Sequence, residues 1–338
     1  MNTKRWIALI IATAVLGISL VINSVFAIFK SDFNRSLEEI AASSVYSELS
    51  ETVVEDGDGN SRIAVLTVDG TIQDTGESSS LLGSSGYNHE LFMQQLNQVK
   101  EDDSVKAVML TVNSPGGGVV ESAEIYDKIT EIQEETEKPF YVSMGATAAS
   151  GGYYIAAPAE KIFVNEETLT GSIGVIMQSV NYGELAERYG VDFVTIKSGP
   201  YKDIMSPTRD MTDEEREILQ DMLNDSYESF VDVIEEGRGM SEAEVKEVAD
   251  GRVMNGRQAV EANLADDFGF EEDVISQLRE DFGLENAQVF EYSASQGLGS
   301  LFAVKVSSFL GNDLETQMLT KLFAEHSSPR MMYLYGEK

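Results

Sequence analysis

Along most of the chain, short runs of β-branched and apolar residues alternate with stretches whose apolar positions recur every three or four residues. Arg62-Ile-Ala-Val-Leu-Thr-Val68, Val105–Val112, Phe140–Met144, Lys161–Val164 and Val191–Ile196 are runs of the first kind and predict buried strands. Helical spacing covers Leu91–Lys100 and the stretch from Gly118 to about Glu135, where Ile125, Ile129 and Ile132 share one face. Thr212-Asp-Glu-Glu215 is a capping box that opens a long helix carrying Leu219, Leu223, Tyr227, Phe230 and Ile234 as one stripe, and Ser241 starts another. That stripe reads as core or subunit interface. Strands alternating with helices imply parallel βαβ units with helices covering the sheet, an α/β fold.

The two ends break this pattern. Trp6 to Phe29 carries no charge and is bounded by Lys4 and Arg5 before it and Lys30 after it. About 20 apolar residues cross a bilayer as a helix, so the run predicts a transmembrane anchor. Ser24-Val-Phe-Ala27 leaves a signal-peptide cleavage site as the other reading. The positive residues ahead of the span place residues 1–5 in the cytoplasm and everything after 6–29 outside the cell. Residues 30–60 are acidic and Ser-rich, the composition of a stalk; 61–296 form the expected main domain; 297–338 form a tail ending in Met331-Met-Tyr-Leu-Tyr335. That ending resembles an extended apolar peptide, suited to a neighbouring groove.

Charge and composition then narrow the chemistry. The 338 residues include 58 acidic and 24 basic ones, a formal net charge of -34, which excludes nucleic acid as a partner. The surface is either plain solvation or a fit to a salty or alkaline exterior. With no cysteine there are no disulfides, thiolate metal sites or cysteine nucleophiles. No phosphate-binding glycine loop or HExxH zinc motif occurs, so neither cofactor nor metal is expected.

Ser150 follows a strand in the small-residue turn Gly145-Ala-Thr-Ala-Ala-Ser150-Gly-Gly. Such a turn holds a serine at a helix start, as nucleophile or simply as N-cap. Asn113-Ser-Pro-Gly-Gly-Gly118 also links strand to helix, and its free amides suit an oxyanion as well as a tight connection. The two histidines, His89 in a polar loop and His326 in the tail, are badly placed for a Ser–His–Asp triad. A desolvated lysine is the alternative base. Lys202, in Gly199-Pro-Tyr-Lys202-Asp-Ile-Met-Ser-Pro207, has apolar neighbours; Lys197 is its rival, Asp203 works against it unless turned away, and a solvated surface charge is the plain reading. Ser172, in Thr170-Gly-Ser-Ile-Gly-Val175, is the hydroxyl best placed to orient the amine.

With Ala148-Ala-Ser150-Gly-Gly-Tyr-Tyr154, Gly251-Arg-Val-Met-Asn-Gly-Arg-Gln-Ala259 and Leu264-Ala-Asp-Asp-Phe-Gly269, these motifs resemble the signal peptide peptidase A family over roughly residues 60–285. The resemblance implies a ClpP/crotonase-like fold of stacked βαβ units and a membrane-anchored serine endopeptidase that cleaves remnant signal peptides and other apolar peptides. It implies Ser150 as nucleophile, Lys202 as general base, Ser172 bonded to the lysine amine, and the amides of Gly117 and Gly151 as oxyanion hole. Ring-shaped homo-oligomers are implied too, with the dyad open to completion across a subunit interface. Met254 departs from the family pattern, which commonly has an aromatic there. A crotonase-like acyl-CoA enzyme and a non-catalytic membrane scaffold are the rival readings; the first needs neither Ser150 nor Lys202, and the second has no use for them.

Overall fold

In the computed structural model, residues 49–74, 86–294 and 330–336 are described. The anchor expected at 6–29 and His326 lie outside them, and no helix among the described residues is long and apolar enough to cross a membrane. The centre is a sheet in the order β1-β10-β2-β3-β5-β6-β9, built from Leu49–Glu55, Ala287–Ala294, Asp58–Asp69, Val105–Ser114, Phe140–Ala149, Lys161–Val164 and Asp267–Phe268. The pairs β10–β2, β2–β3, β3–β5, β5–β6 and β6–β9 are parallel.

Both faces of this sheet are dry, which is why the strand sequences are apolar at successive positions rather than alternate ones. Ala64, Leu66 and Val68 of β2 pack on one face with α1 (His89–Glu101), α2 (Val119–Thr136) and α3 (Gly151–Ala156). Ile63 and Val65, on the other face, join Ala107, Met109, Tyr141 and Phe163 under Val274, Ile275 and Leu278. These last three lie on Glu271–Phe282, one of the later helices. The architecture is the mixed α/β fold with a parallel-rich sheet that the alternation predicts.

Three expectations change. Leu49–Glu55, placed in the stalk, is strand and extends the sheet beside β10; its partner lies more than two hundred residues away, which no local pattern announces. Val191–Ile196, expected as a strand, has no regular structure and is exposed, Ile196 almost completely. An apolar β-branched run becomes a strand only where an edge accepts its backbone, and none among the described residues reaches it. His89 is no loop residue: it opens α1 and is buried, with Nδ1 2.6 Å from the Tyr87 hydroxyl and Nε2 2.7 Å from Glu124 Oε2.

The long helix predicted from its capping box spans Asp213–Arg238, with Thr212 and Glu215 bonding each other's backbone. Only its C-terminal half, from Phe230 through Ile234, is buried in the core; Leu219, Leu223 and Tyr227 are half-exposed.

Candidate active site

β5 runs without interruption into Ser150, and β7 (Leu169–Gly171) lies parallel beside its last residues. Ala149 pairs with Gly171, and the Ser150 amide donates to the Gly171 carbonyl at 2.8 Å. Ser150 and Ser172 are therefore the next residues on two neighbouring strands. Both have positive φ, 55° and 51°, a conformation that costs a non-glycine residue on the order of 1–3 kcal/mol and persists only where surroundings enforce it. For Ser150 the enforcing surroundings are a core strand before it and the buried helix α3 after it.

Ser150 occupies the N-cap position of α3, but its side chain makes no capping bond. The residue is 1% exposed, and Oγ has no hydrogen-bond partner among the described residues. A buried hydroxyl normally finds one. The plain N-cap role is thus ruled out: the strained turn withholds the hydroxyl from the helix it precedes.

The glycine loop lies alongside. Gly116–Gly118 forms a short strand, β4, with Gly116 at φ 99° and the Ser114 hydroxyl accepting from the Gly116 amide at 3.0 Å. Ile72 bonds to both neighbours of Gly117: its amide donates to the Gly116 carbonyl, and its carbonyl accepts from the Gly118 amide, each at 2.8 Å. Backbone groups alternate in direction along a strand, so the amide and carbonyl of Gly117 face the opposite side.

On that side lies the tail. β11 (Met332–Leu334) pairs antiparallel with β4, Tyr333 opposite Gly117, and Met332 exchanges two 3.0 Å bonds with Ile176 on its far side. The tail is an added strand between two walls, one from the glycine loop and one from the stretch after Ser172. Its Tyr333 carbonyl oxygen presses on the glycines: a Cβ on Gly116 would come within 2.0 Å of it, and one on Gly151 within 3.1 Å. The Tyr333 ring is buried, stacked on Tyr154 at 5.0 Å between centroids and tilted against Phe230 at 4.7 Å, and its hydroxyl donates to the Ser226 carbonyl at 2.8 Å. The tail was expected in a neighbour's groove; here it lies in the groove of its own chain.

Lys202 is elsewhere. It sits exposed on a turn, its Nζ has no hydrogen bond or ion pair among the described residues, and it does not touch the partnerless Ser150 Oγ. The described residues do not form the apolar enclosure expected around it. From Ser179 to Val194 the preceding segment is largely exposed, and Val180, Tyr182, Leu185, Tyr189 and Val194 show apolar surface that none of the described residues covers. The turn itself is firmly held, however. Arg209 bonds both carboxylate oxygens of Asp203, at 2.9 and 2.7 Å, and both of Glu215, at 2.9 and 2.5 Å. Arg209 pulls the Asp203 carboxyl well below its usual range, with help from Lys197, and holds that of Glu215 down at about 2. Asp203 is thus turned to Arg209 and Lys197. Lys197 is engaged with that carboxylate at 2.6 Å, whereas Lys202 is left without one.

Among the predicted residues, then, the fold gathers Ser150, Gly151, Gly117 and Ser172 at the carboxyl ends of the parallel strands and leaves Lys202 apart. Met254, the departure from the family pattern, is buried behind Gly171. The Arg209–Asp203–Glu215 clamp went unread in the sequence; the only hint was an arginine among acidic residues after Pro207. No group of acidic or histidine side chains among the described residues could hold a metal ion.

Comparison with known proteins fits this geometry. The model of Peptidase family S49 matches residues 132–285, and that of Clp protease matches residues 85–170. A candidate signal peptide peptidase SppA of Enterococcus faecium is 40% identical over 99% of both chains. Protease 4 of Haemophilus influenzae is 36% identical over 63% of this chain and 34% of its own. The chloroplastic serine protease SPPA of Arabidopsis thaliana is 32% identical over 62% of this chain and 31% of its own. A hydroxyl withheld from its helix, a groove that takes a strand, and likeness along the full length lead to one conclusion: the chain belongs to the signal peptide peptidase A group of peptidase family S49, and it is a serine peptidase.

Proposed function

We propose that the chain is a membrane-anchored Ser–Lys endopeptidase that cuts apolar peptides bound as an added strand between Gly116–Gly118 and Ile176. The observation that carries this reading is the Ser150 hydroxyl, buried and unpaired beside a groove where a strand of the chain itself already lies. An extended peptide joining a sheet edge gains affinity from main-chain bonds, whatever its sequence, and selectivity from side-chain pockets such as the one around Tyr333.

In this mechanism Ser150 Oγ attacks the scissile carbonyl carbon while its proton passes to a neutral Lys202 Nζ. The amides of Gly117 and Gly151 receive the oxyanion. Collapse expels the amine, which takes the proton from Lys202, and water then releases the acyl group from Ser150 by the same route. Ser172, adjacent to Ser150 on the next strand, orients the lysine amine. The lysine comes from a second copy in a ring-shaped homo-oligomer: its turn is clamped by Arg209 but exposed, and it adjoins the uncovered apolar segment. In a chain of net charge -34 such a segment is conspicuous, and its burial against a second copy would bring the desolvation a lysine base needs.

The uncharged run 6–29 anchors the chain, with the catalytic domain outside the cell. Residues 30–48 are the stalk. Remnant signal peptides, apolar in the middle and basic at one end, fit the groove, the bilayer and the acidic surface together.

The test uses the full chain in detergent with an apolar fluorogenic peptide. Ser150→Ala and Lys202→Ala should each lose several orders of magnitude in kcat/KM, and mixed after dissociation and reassembly they should regain a fraction of wild-type activity. Activity retained by Ser150→Ala would sink the peptidase assignment of this serine. No recovery on mixing would place the two groups in one subunit.

A further inference from the structure

Ser122 lies in the first turn of α2 and is fully buried, yet its Oγ has no hydrogen-bond partner among the described residues. A serine in a helix can turn back to a carbonyl of the preceding turn, and buried hydroxyls usually do so. This one points elsewhere. A Cβ placed on Gly151 would stand 2.7 Å from Ser122 Oγ, 3.1 Å from the Gly117 amide nitrogen and 3.1 Å from the Tyr333 carbonyl oxygen. One small volume beside Gly151 is therefore bordered by an unpaired hydroxyl, by an amide that faces the groove, and by a peptide carbonyl.

We infer that the Ser122 hydroxyl is a third donor of the oxyanion hole, beside the amides of Gly117 and Gly151. This rests on the peptidase reading above and deepens it. A donor kept unpaired in the resting enzyme is satisfied only when the carbonyl oxygen gains charge and shifts towards it, so its bond favours the transition state over the bound substrate. Ser122 keeps its proton throughout; the proton that moves is that of Ser150. Nor is Ser122 a rival nucleophile, because it sits on a regular helix, whereas Ser150 is held at positive φ at the end of a core strand. Gly151 has no side chain for the same reason that Ser122 has a small one: anything larger would fill the space the oxyanion needs.

A structural and a catalytic Ser122 predict different things. An unpaired buried hydroxyl stabilises nothing, so Ser122→Ala should melt at or above the wild-type temperature. Its kcat should fall about a hundredfold, with KM within about twofold. A peptide aldehyde, whose adduct with Ser150 carries the oxyanion, should lose affinity by the same factor as kcat/KM, while a peptide of residues 330–336 should bind unchanged. The measurements use the full chain in detergent, with Ser150→Ala alongside. An inactive Ser150→Ala with a Ser122→Ala of wild-type kcat overturns the role of Ser122 alone. A Ser122→Ala that fails to fold, or loses activity only in step with melting temperature, makes the hydroxyl structural and also overturns it. An active Ser150→Ala overturns both readings.

Discussion

Replacing Tyr333 with alanine should free the groove that the tail occupies. The ring is 1% exposed and lies against Tyr154 and Phe230, with its hydroxyl on the Ser226 carbonyl. Truncating a buried aromatic to alanine costs about 3–5 kcal/mol. Each 1.4 kcal/mol is tenfold in an equilibrium, so docking of the tail should weaken by about two to three and a half orders of magnitude. The body of the domain should lose little, because among the described residues β11 pairs only with β4 and with Ile176 and can leave as a unit. Two measurements check this. The KM of an apolar fluorogenic peptide should fall in Tyr333→Ala, since substrate no longer competes with a tethered strand. A synthetic peptide of residues 330–336 should inhibit Tyr333→Ala competitively, and its Tyr-to-Ala counterpart should do so at least a hundredfold less well, on the order of the docking loss. An unchanged KM with no competition by the peptide would refute the argument that substrate and tail share one groove.

Gly151→Ala should abolish turnover while Ser150 stays in place, because the new Cβ would crowd Ser122 Oγ to 2.7 Å and the Gly117 amide to 3.1 Å, filling the oxyanion site; an active, folded Gly151→Ala would contradict this. Acid should loosen the turn that carries Lys202. Arg209 lowers the Glu215 carboxyl from 4.5 to about 2, so its contribution to stability is complete above pH 4.5 and is lost as pH falls from there towards 2. Denaturant midpoints measured across that window should drop in the wild type and vary less in Glu215→Gln; identical profiles would show that the clamp contributes nothing. Arg209→Ala should lower kcat without touching Ser150, read as reduced turnover with the tail peptide still bound at wild-type affinity.

Much of the fold was legible in advance because its signals are local. Buried parallel strands announce themselves as continuous apolar runs, Thr212 makes the capping box its sequence context promises, and Ser241 starts the helix expected of it. Val191–Ile196 misled because β-branched composition measures what a strand would bury, not whether an edge is there to receive it. His89 looked like a loop residue because its burial depends on Glu124, on a helix 35 residues further along that only packing brings beside it.

The candidate site divides along the same line. Sequence alone determined the small-residue turn at Ser150 and the glycine connection at 116–118, since each follows from which residues let another backbone approach, whereas the strand character of Gly116–Gly118 and the adjacency of Ser150 and Ser172 came from strand pairing. Tertiary structure decided the rest: that the Ser150 hydroxyl is buried and unpaired, that Ser122 points to the same volume, that the tail returns as a strand across from Gly117, and that Lys202 stands exposed on a clamped turn. These depend on contacts between residues far apart in the chain. Their free energy comes from burial and hydrogen bonds that exist only once the sheet has assembled, so no spacing along the sequence records them.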